Sequence, residues 1–599
     1  MKVMDRPVEA DAVSWLASFA DSLERGDVEA AAACFGDECY WRDLVAFSWN
    51  IATFEGRGPI EEMLRGTLER TAPRDWTVTE ASVAGDGTVE AWFSFETGVA
   101  RGVGHVRLRD GSARTFLTAI TELKGHEERR GPTRPRGVSH GVHPGRTTWS
   151  ERRAEEARTL GYEEQPYVVV IGGGQGGLAL GARLRRLDVA TIIIEKNPRA
   201  GDSWRNRYRS LCLHDPVWYD HLPYLPFPDT WPVFAPKDQI GDWLEMYARV
   251  MELNLWTSSE ALGAGYDEAA GEWTVRVSRD GEEVTLKPKH LVLATGMSGV
   301  PNVPDLPGRV RFKGVQVHSS AHKGAEGWEG KRAVVIGSNN SAHDICAELW
   351  EHGADVTMVQ RSSTHVIRGE TLVELGMRSL YSEEALADGI THERADMIFA
   401  SIPYALFPEV QKPIYDEAKV RDAAFYDRLR EAGFELDFGA DETGLFLKYL
   451  RRGSGYYIDV GASDLVATGK IKLARGQAAE LREDALVLED GTALPADLIV
   501  YATGYGSMNG WAAKLISQEV ADRVGKCWGL GSDTPKDPGP WEGELRNMWK
   551  PTAQEGLWFH GGNLHQSRHY SLYLALQLKA RQEGLETVVF GRPDVHHLQ

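Results

Sequence analysis

Over residues 168–187 the chain passes from an unbroken apolar run, Val168-Val169-Val170-Ile171, through a glycine cluster into leucines at 180, 184 and 187. A run of that length suits a parallel strand buried on both faces, and the i, i+4, i+7 spacing suits an amphipathic helix. A second short strand is predicted over 191–194. The order then returns, with an apolar strand over 333–336, a small-residue turn, a helix and a strand over 355–359. Each half closes on another apolar strand that runs into small residues, over 290–296 and 497–504. Ahead of this repeat the pattern changes to helical periodicity over 13–23 and strict alternation over 76–83, 89–95 and 103–108, an α+β plan. Residues 125–165 carry charges, Gly and Pro without apolar periodicity, as linkers do. Near the end, residues 556–560 read as a strand and Gly561-Gly562-Asn563 open a helix over 566–581.

The turns carry the chemistry. Gly172, Gly174 and Gly177 fit GxGxxG between strand and helix, where free backbone amides can hold a pyrophosphate. Glu195 follows 23 positions after Gly172, where a carboxylate accepts from ribose hydroxyls. The second copy has Gly337, Ser338, Asn339, Asn340 and Ser341 at its turn and Arg361 24 positions after Gly337. A guanidinium there pairs with a 2′-phosphate that an acid would repel, so the first copy suits FAD and the second NADPH. Asn339 replaces a glycine, and the known tolerance of Asn for unusual φ is the expected compensation. Gly172 to Ala294 spans 122 positions and Gly337 to Ala502 spans 165, so the second copy holds 43 more, expected within 369–455. The fold class is therefore α/β, with two Rossmann-like dinucleotide-binding domains preceded by an α+β domain. The expected divisions are 1–125 for the α+β domain, 126–165 for the linker and 166–313 for the first FAD segment. The NADPH domain with its helical insertion is expected over 314–502, and the second FAD segment over 503–599.

Composition narrows the class. With 67 basic and 87 acidic residues the net charge is −20, which disfavours a nucleic-acid binder. Five cysteines, Cys34, Cys39, Cys212, Cys346 and Cys527, are too sparse for a disulfide scaffold. Asp5, Glu9 and Asp11 stand where a leader peptide needs an apolar core, and no apolar stretch reaches bilayer length, so a soluble cytoplasmic protein without membrane contact is expected. The amino-terminal pattern resembles the cone-shaped domains of the polyketide-cyclase and nuclear-transport-factor superfamily, with Phe35, Tyr40, Trp41, Trp49, Phe54 and Trp92 available to line a cavity. Asp43 and His105 are its candidate acid–base pair, weighed against ordinary solvated residues. An appended domain of this kind more often packs or dimerises than catalyses, and it is compatible with a homodimer.

Disulfide reductases also pair FAD with NADPH, but Cys34 and Cys39 lie in the appended domain and Cys212 has no neighbour in sequence. Phe312, Gly314 and His318 instead resemble the FxGxxxHxxx(Y/F) signature of flavin-containing monooxygenases, including the plant auxin-forming branch, with His322 departing at the last position. Gly201-Asp202-Ser203-Trp204, Leu213-His214, Leu225 to Pro228, Lys237-Asp238 and Ala502-Thr503-Gly504-Tyr505 resemble further segments of that family, and the likeness covers 167–581. The resemblance implies that NADPH reduces FAD and that dioxygen then forms a C4a-(hydro)peroxyflavin. One oxygen atom is inserted into a small organic substrate, with N- or S-oxygenation favoured. Baeyer–Villiger oxygenation of a ketone and oxidative decarboxylation of a 2-oxo acid are the enzymatic alternatives, and a flavin-binding sensor is the non-enzymatic one. His214 stands where that family often has Asn; a protonated imidazole there would be catalytic, donating to the oxygenating group with its charge set by Asp215, and the alternative reading is a histidine that caps a turn before Pro216. Trp204, Thr503, Gly504, Gly562 and Asn563 are then expected at the cofactors, the last two where a helix dipole faces the flavin. His318 with His322, and His565 with His569, fall four apart, but without an HExxH glutamate or CxxC no metal site is expected.

Overall fold

The computed structural model describes residues 6–137, 140–297 and 300–595. Asp5 and the linker residues Val138 and Ser139 lie outside them. Two five-stranded sheets, parallel throughout, form the centre. One has the order Leu557–Phe559, His290–Leu293, Val168–Ile171, Thr191–Ile194, Leu255–Trp256. The other has the order Val315–His318, Leu498–Tyr501, Arg332–Ile336, Asp355–Gln360, Lys472–Arg475. The inner strands Val168–Ile171 and Leu498–Tyr501 are buried at every position, as expected of strands covered by helices on both faces. Each sheet also carries a three-stranded antiparallel meander, Ser259–Leu286 beside the first and Ala478–Pro495 beside the second. The duplication thus includes a further sheet that the apolar runs did not reveal.

Between Arg368 and Tyr456 the second half holds a helical insertion, with longer helices His392–Ala400, Phe407–Arg421, Ala423–Glu431 and Gly444–Arg452. After it the chain returns to the first sheet and ends in helix Leu564–Gln582, which is buried on nearly every side. Such a helix has no amphipathic stripe because it has no solvent face.

The amino-terminal unit is a curved six-stranded sheet with helices Arg6–Glu24 and Arg57–Thr71 against it. Alternation marked three of its strands; Phe35–Leu44, Ile51–Glu55 and Ser112–Leu123 escaped because most of their positions are buried. Register overturns the proposed acid–base pair. Asp43 lies opposite Thr118 and Thr118 opposite Gly104, so His105 projects from the other face of the sheet. Neither residue is solvated. Asp43 accepts from Thr118 Oγ1 at 2.6 Å, Ser48 Oγ at 2.7 Å and the Ser48 amide at 2.9 Å, while His105 is buried against Trp92. The concave face is filled rather than hollow: Trp41 packs on Phe35, Phe47 and Phe116 with ring centroids 4.8–5.8 Å apart. Trp92 belongs to the opposite face, where Arg394 of the insertion lies 3.8 Å over its ring.

That outer face docks on the larger, two-sheet part of the chain. Arg107 donates to Ser401 O and Oγ, and Arg114 pairs with Glu409. Arg42 is fully buried, holding Glu544 through two hydrogen bonds of 2.6 and 2.9 Å, the Tyr570 hydroxyl at 3.0 Å and Ala400 O at 2.8 Å. The linker, expected to be irregular, contains the capped helix Trp149–Thr159, tied down by Trp149 Nε1 to Glu252, Arg153 to Asn254 and Arg185 to Glu156. It buries none of its side chains, which is why no apolar periodicity announced it.

Candidate active site

Both glycine turns have the geometry their spacing implies. Gly172 has φ +113° and a Cβ there would lie 2.2 Å from Ala294 O, while one on Gly177 would lie 1.9 Å from Gly172 O. The helix Gln175–Arg186 therefore sits directly on the turn, with Gly174 at its N-cap and no side chain capping its first amides. Glu195 is buried; Oε2 accepts from the Gly173 amide at 2.9 Å and Oε1 from Asn197 Nδ2 at 2.6 Å, which fixes the carboxylate beside the turn. Trp204 Nε1 donates to Gln175 Oε1 at 3.2 Å, so the Trp204 ring flanks the same helix start. Gly562, at φ +104°, lies at the same helix start, its carbonyl accepting from Gln175 Nε2 at 3.4 Å, and Asn563 follows it. The Asn563 side chain caps helix Leu564–Gln582 by accepting from the Gln566 amide at 2.8 Å and donates to the Tyr219 hydroxyl at 3.3 Å, so its polar atoms are already engaged.

Two buried groups support an FAD fit. Thr295 Oγ1 has no partner, and neither ring nitrogen of fully buried His560, beside Gly176, makes a well-formed hydrogen bond. Burial drives the His560 pKa down to about 3. Unmet polar atoms beside uncapped helix amides are what a pyrophosphate and polar ring edge would satisfy.

At the second turn Gly337 has φ +135°, and a Cβ there would meet Ala502 O at 2.4 Å. Asn339 corrects the expectation of an unusual φ. Its backbone is extended, at φ −100° and ψ −169°, much as Gly174 at −78° and −169°, so the substitution needs no backbone tolerance. The side chain is turned aside, accepting from Thr364 Oγ1 at 3.4 Å. Ser338 Oγ bonds Thr364 Oγ1 at 2.8 Å, and Asn340 Oδ1 receives the Ile458 amide at 2.9 Å, leaving the turn's own amides as the anion-binding surface.

A cleft of about 590 Å³ opens on the second turn, lined by Gly337 to Ala342 and Arg361 on one side and by Trp204, His214 and Met297 of the first half on the other. Thr503 and Gly504 line it too; Thr503 Oγ1 donates to Asn302 O, and Gly504 O lies 3.1 Å from His318 Nε2. His318 thus ties the end of its strand to the 502–505 segment, and its Nδ1 accepts from the Ser320 amide. His322 is buried and pushed down to about 4 by desolvation, hence neutral.

Residues not anticipated from the sequence complete the phosphate end. Lys536 stands at the rim of the cleft with Arg361. Desolvation and the neighbouring cations Arg452, Arg361 and Lys448 lower its pKa. Among the described residues no carboxylate pairs with Arg361 or Lys536, so the group carries uncompensated positive charge. Nothing in the loop around Lys536 signalled this, since it lies 175 positions from Arg361.

His214 does line the cleft, but its charge partner is not the one expected. Burial opposes its protonation, yet its pKa is raised, chiefly by Asp344, whose Oδ2 lies 3.4 Å from His214 Nε2, with smaller help from Asp215 and Asp459. Asp344 stands on helix Asn340–Glu351 of the second half and also accepts from the Tyr208 hydroxyl at 2.6 Å. Asp215 is itself raised to about 6 by burial against the pull of His214, so it is a weaker anion near neutrality. The Nε2–Asp344 contact is an ion-pair approach and not a well-formed hydrogen bond.

The pair gives a pH prediction. A histidine whose folded pKa exceeds its unfolded value near 6.5 contributes stability that is complete below about pH 6.5 and lost as the pH rises through the folded value. The thermal midpoint should therefore decline above pH 6.5 more steeply in the unmodified protein than in His214→Asn. Parallel midpoint curves for the two proteins would show that the contact carries no charge.

Comparison with known proteins agrees with this geometry. Residues 169–403 match the model of the pyridine nucleotide-disulphide oxidoreductase family, and residues 16–115 match the SnoaL-like domain. Indole-3-pyruvate monooxygenase YUCCA1 of Oryza sativa subsp. japonica is 31% identical over 365 residues, 60% of this chain and 82% of the relative. Probable indole-3-pyruvate monooxygenase YUCCA9 of Arabidopsis thaliana is 29% identical over 396 residues, covering 66% and 83%. An open crystal structure of cyclohexanone monooxygenase aligns at TM-score 0.50 and 17% identity over 70% of this chain and 88% of that one, which shows a shared fold. Among the described residues no helix is long and apolar enough to cross a membrane.

Proposed function

Because the chain belongs to the flavin-containing monooxygenase family, whose members use FAD and NADPH, we propose that it inserts one oxygen atom into the nitrogen or sulfur of a small organic substrate. The observation that carries this reading is the cleft of about 590 Å³ in which the second glycine turn and Arg361 face Trp204, His214 and Met297 of the first half. Bound there, the flavin supplies oxygen activation with electrons drawn from NADPH.

The chain's own residues do the rest. The Gly172 to Gly177 turn and Glu195 hold the adenine dinucleotide of FAD, and Trp204 covers its helix start, with Gly562 and Asn563 beside it. The Gly337 to Ser341 turn takes the second pyrophosphate, and Arg361 with Lys536 takes the 2′-phosphate. His214, whose protonated form Asp344 favours against the cost of burial, would supply a proton at the cleft where the departing oxygen needs one. Asp215 and Asp220 are buried nearby, and the Asp215 charge bears on the hydroxyls of Tyr219, Tyr449 and Tyr456.

Oxidative decarboxylation of a 2-oxo acid is the second reading. It is favoured by the 31% identity to an indole-3-pyruvate monooxygenase and by Arg207, which lines the cleft with its Nε unpartnered. Turnover of a tertiary amine, a thioether, a ketone and a 2-oxo acid, each scored for NADPH consumed, oxygenated product and hydrogen peroxide, separates these readings. N-oxide or sulfoxide formed in step with NADPH supports the first. Carbon dioxide released in step with NADPH only from the 2-oxo acid replaces it with the second.

Arg361→Ala tests the phosphate end. Losing one charge-assisted contact of about 1.5–3 kcal/mol should lower kcat/KM for NADPH by about 10- to 100-fold. The value for NADH should hardly change, and an equal loss with both nucleotides would move the 2′-phosphate elsewhere.

A further inference from the structure

A second enclosed space, of about 260 Å³, lies away from the dinucleotide cleft, where the amino-terminal sheet, the linker, helix Gln175–Arg186, the insertion and helix Leu564–Gln582 meet. Val103 and Thr121 enter from the sheet, Met397 from the insertion, and Leu572 and Leu576 from the long helix, so much of the wall is apolar. His569 also faces it. That residue is 8% exposed, and its Nε2 has no hydrogen-bond partner. Its ring is wedged edge-on against Tyr570 and Tyr573 at centroid distances of 4.7 and 5.2 Å, so it cannot turn away to find one. An unmet buried nitrogen is a standing cost that a ligand hydroxyl or N–H removes.

The buried charged groups that line this space, Arg568, Asp396 and Arg183, are already paired, and Arg130 and Glu393 stand solvated at its exposed mouth. Arg568 makes a two-pronged contact with Asp396 at 2.7 and 2.8 Å and donates twice more to Tyr219 O and His221 O. Arg183 lies 4.7 Å over the Tyr224 ring and 3.8 Å from Glu128. Burial first, then the nearby cations Arg42 and Arg568 and the neighbouring His565, hold the His569 imidazole neutral despite the pull of Asp396, with a pKa driven down to about 3. A charged ligand seated in the interior would leave water and meet only buried charges that already have partners, whereas a neutral one with an apolar body meets matching walls.

We propose that this junction is a second ligand site, which takes a small, flat, uncharged molecule bearing one hydroxyl or N–H that bonds His569 Nε2. The occupant touches the amino-terminal unit and the oxygenase body at once. It also lies next to Asp396, whose Oδ1 is 3.2 Å from His565 Nε2; His565 stacks on Tyr219 at 4.4 Å, and the Tyr219 hydroxyl receives the Asn563 amide. Occupancy is thereby connected to the helix start at the flavin edge without entering the cleft.

Phenol is the probe, with benzoate and benzylamine as anionic and cationic counterparts of similar size, applied to the FAD-loaded full chain by calorimetry. Phenol should bind at about one per chain, unaffected by saturating NADP⁺, and at least tenfold more tightly than either ion. Leu572→Trp, at a partly exposed position, should fill the space and abolish binding, and Val103→Trp should do the same from the other wall. His569→Leu should weaken phenol at least tenfold while leaving the flavin spectrum intact. Absence of phenol binding, its displacement by NADP⁺, or retention of full affinity in folded His569→Leu together with either tryptophan variant would overturn the site. Because the readout is binding to protein that already holds flavin, none of these results depends on which substrate is oxygenated.

Discussion

Gly177→Ala should emerge from purification colourless and remain so when mixed with excess FAD, whereas Gly174→Ala should lose flavin for a different reason and keep its apoprotein stability. The two glycines sit three positions apart in one motif, yet their surroundings differ. A Cβ on Gly177 would lie 1.9 Å from the Gly172 carbonyl oxygen, a backbone atom that cannot swing aside, so the helix must lift off the turn. Overpacking of that kind typically costs about 1–3 kcal/mol, and it displaces the amides that would face the pyrophosphate. A Cβ on Gly174 meets nothing nearer than Ser203 Oγ at 3.7 Å, so the free protein accommodates it and the penalty falls on the ligand. Flavin affinity should drop by at least about 100-fold in both, equivalent to about 2.7 kcal/mol. Only Gly177→Ala should also lower the thermal midpoint of the apoprotein. A yellow, stoichiometrically loaded Gly177→Ala protein would remove the first turn from the flavin site.

The contrast shows which parts of the architecture are written locally. Strand, turn, helix and terminal charge occur within about 25 residues, so their periodicities and the Glu195 and Arg361 distinction survive in the sequence. Asp344 was not legible as the partner of His214, because 130 positions separate them and the acid sits on an ordinary helix face. Asp215 looked the better partner only through adjacency in sequence, which does not determine which carboxylate a buried ring meets. Asp43 and His105 illustrate a related failure: their residue types suit acid–base chemistry, but strand parity places them on opposite faces of one sheet. The helix at Trp149–Thr159 went unread because it packs through ion pairs at its edges and buries no stripe. Local order leaves a periodic trace; long-range polar pairing does not.

Arg42→Ala should be the most destabilising single change in the amino-terminal unit. The guanidinium is 1% exposed and joins three parts of the chain: its own strand, Ala400 O in the insertion, and Glu544 with Tyr570 in the carboxyl-terminal segment. The Tyr404 ring closes the remaining side at 4.6 Å. Desolvation works against a charge in such a place, but Glu544 and the two tyrosines overcome it and hold the arginine protonated well above its ordinary range. Removing it leaves Glu544 buried with only Thr53 Oγ1, at 2.8 Å, and neighbouring Lys550 to offset its charge. Breaking a buried pair from one side typically costs about 3–5 kcal/mol, most of it the stranded partner, whereas replacing both sides with apolar groups of similar volume is often close to neutral. Arg42→Met combined with Glu544→Leu should therefore recover most of the stability that Arg42→Ala loses, measured by chemical denaturation of the flavin-loaded protein. The location of the damage is equally specific. Because Arg42 holds Tyr570, Tyr570 stacks on Trp549 at 4.0 Å, and Trp549 Nε1 donates to Gly561 O at 3.2 Å, loosening Arg42 reaches the turn at Gly561 and Gly562 through three contacts. Flavin fluorescence polarisation should consequently fall in Arg42→Ala before global unfolding begins. If the double variant is no more stable than Arg42→Ala, the cost lies in lost packing rather than in the uncompensated carboxylate.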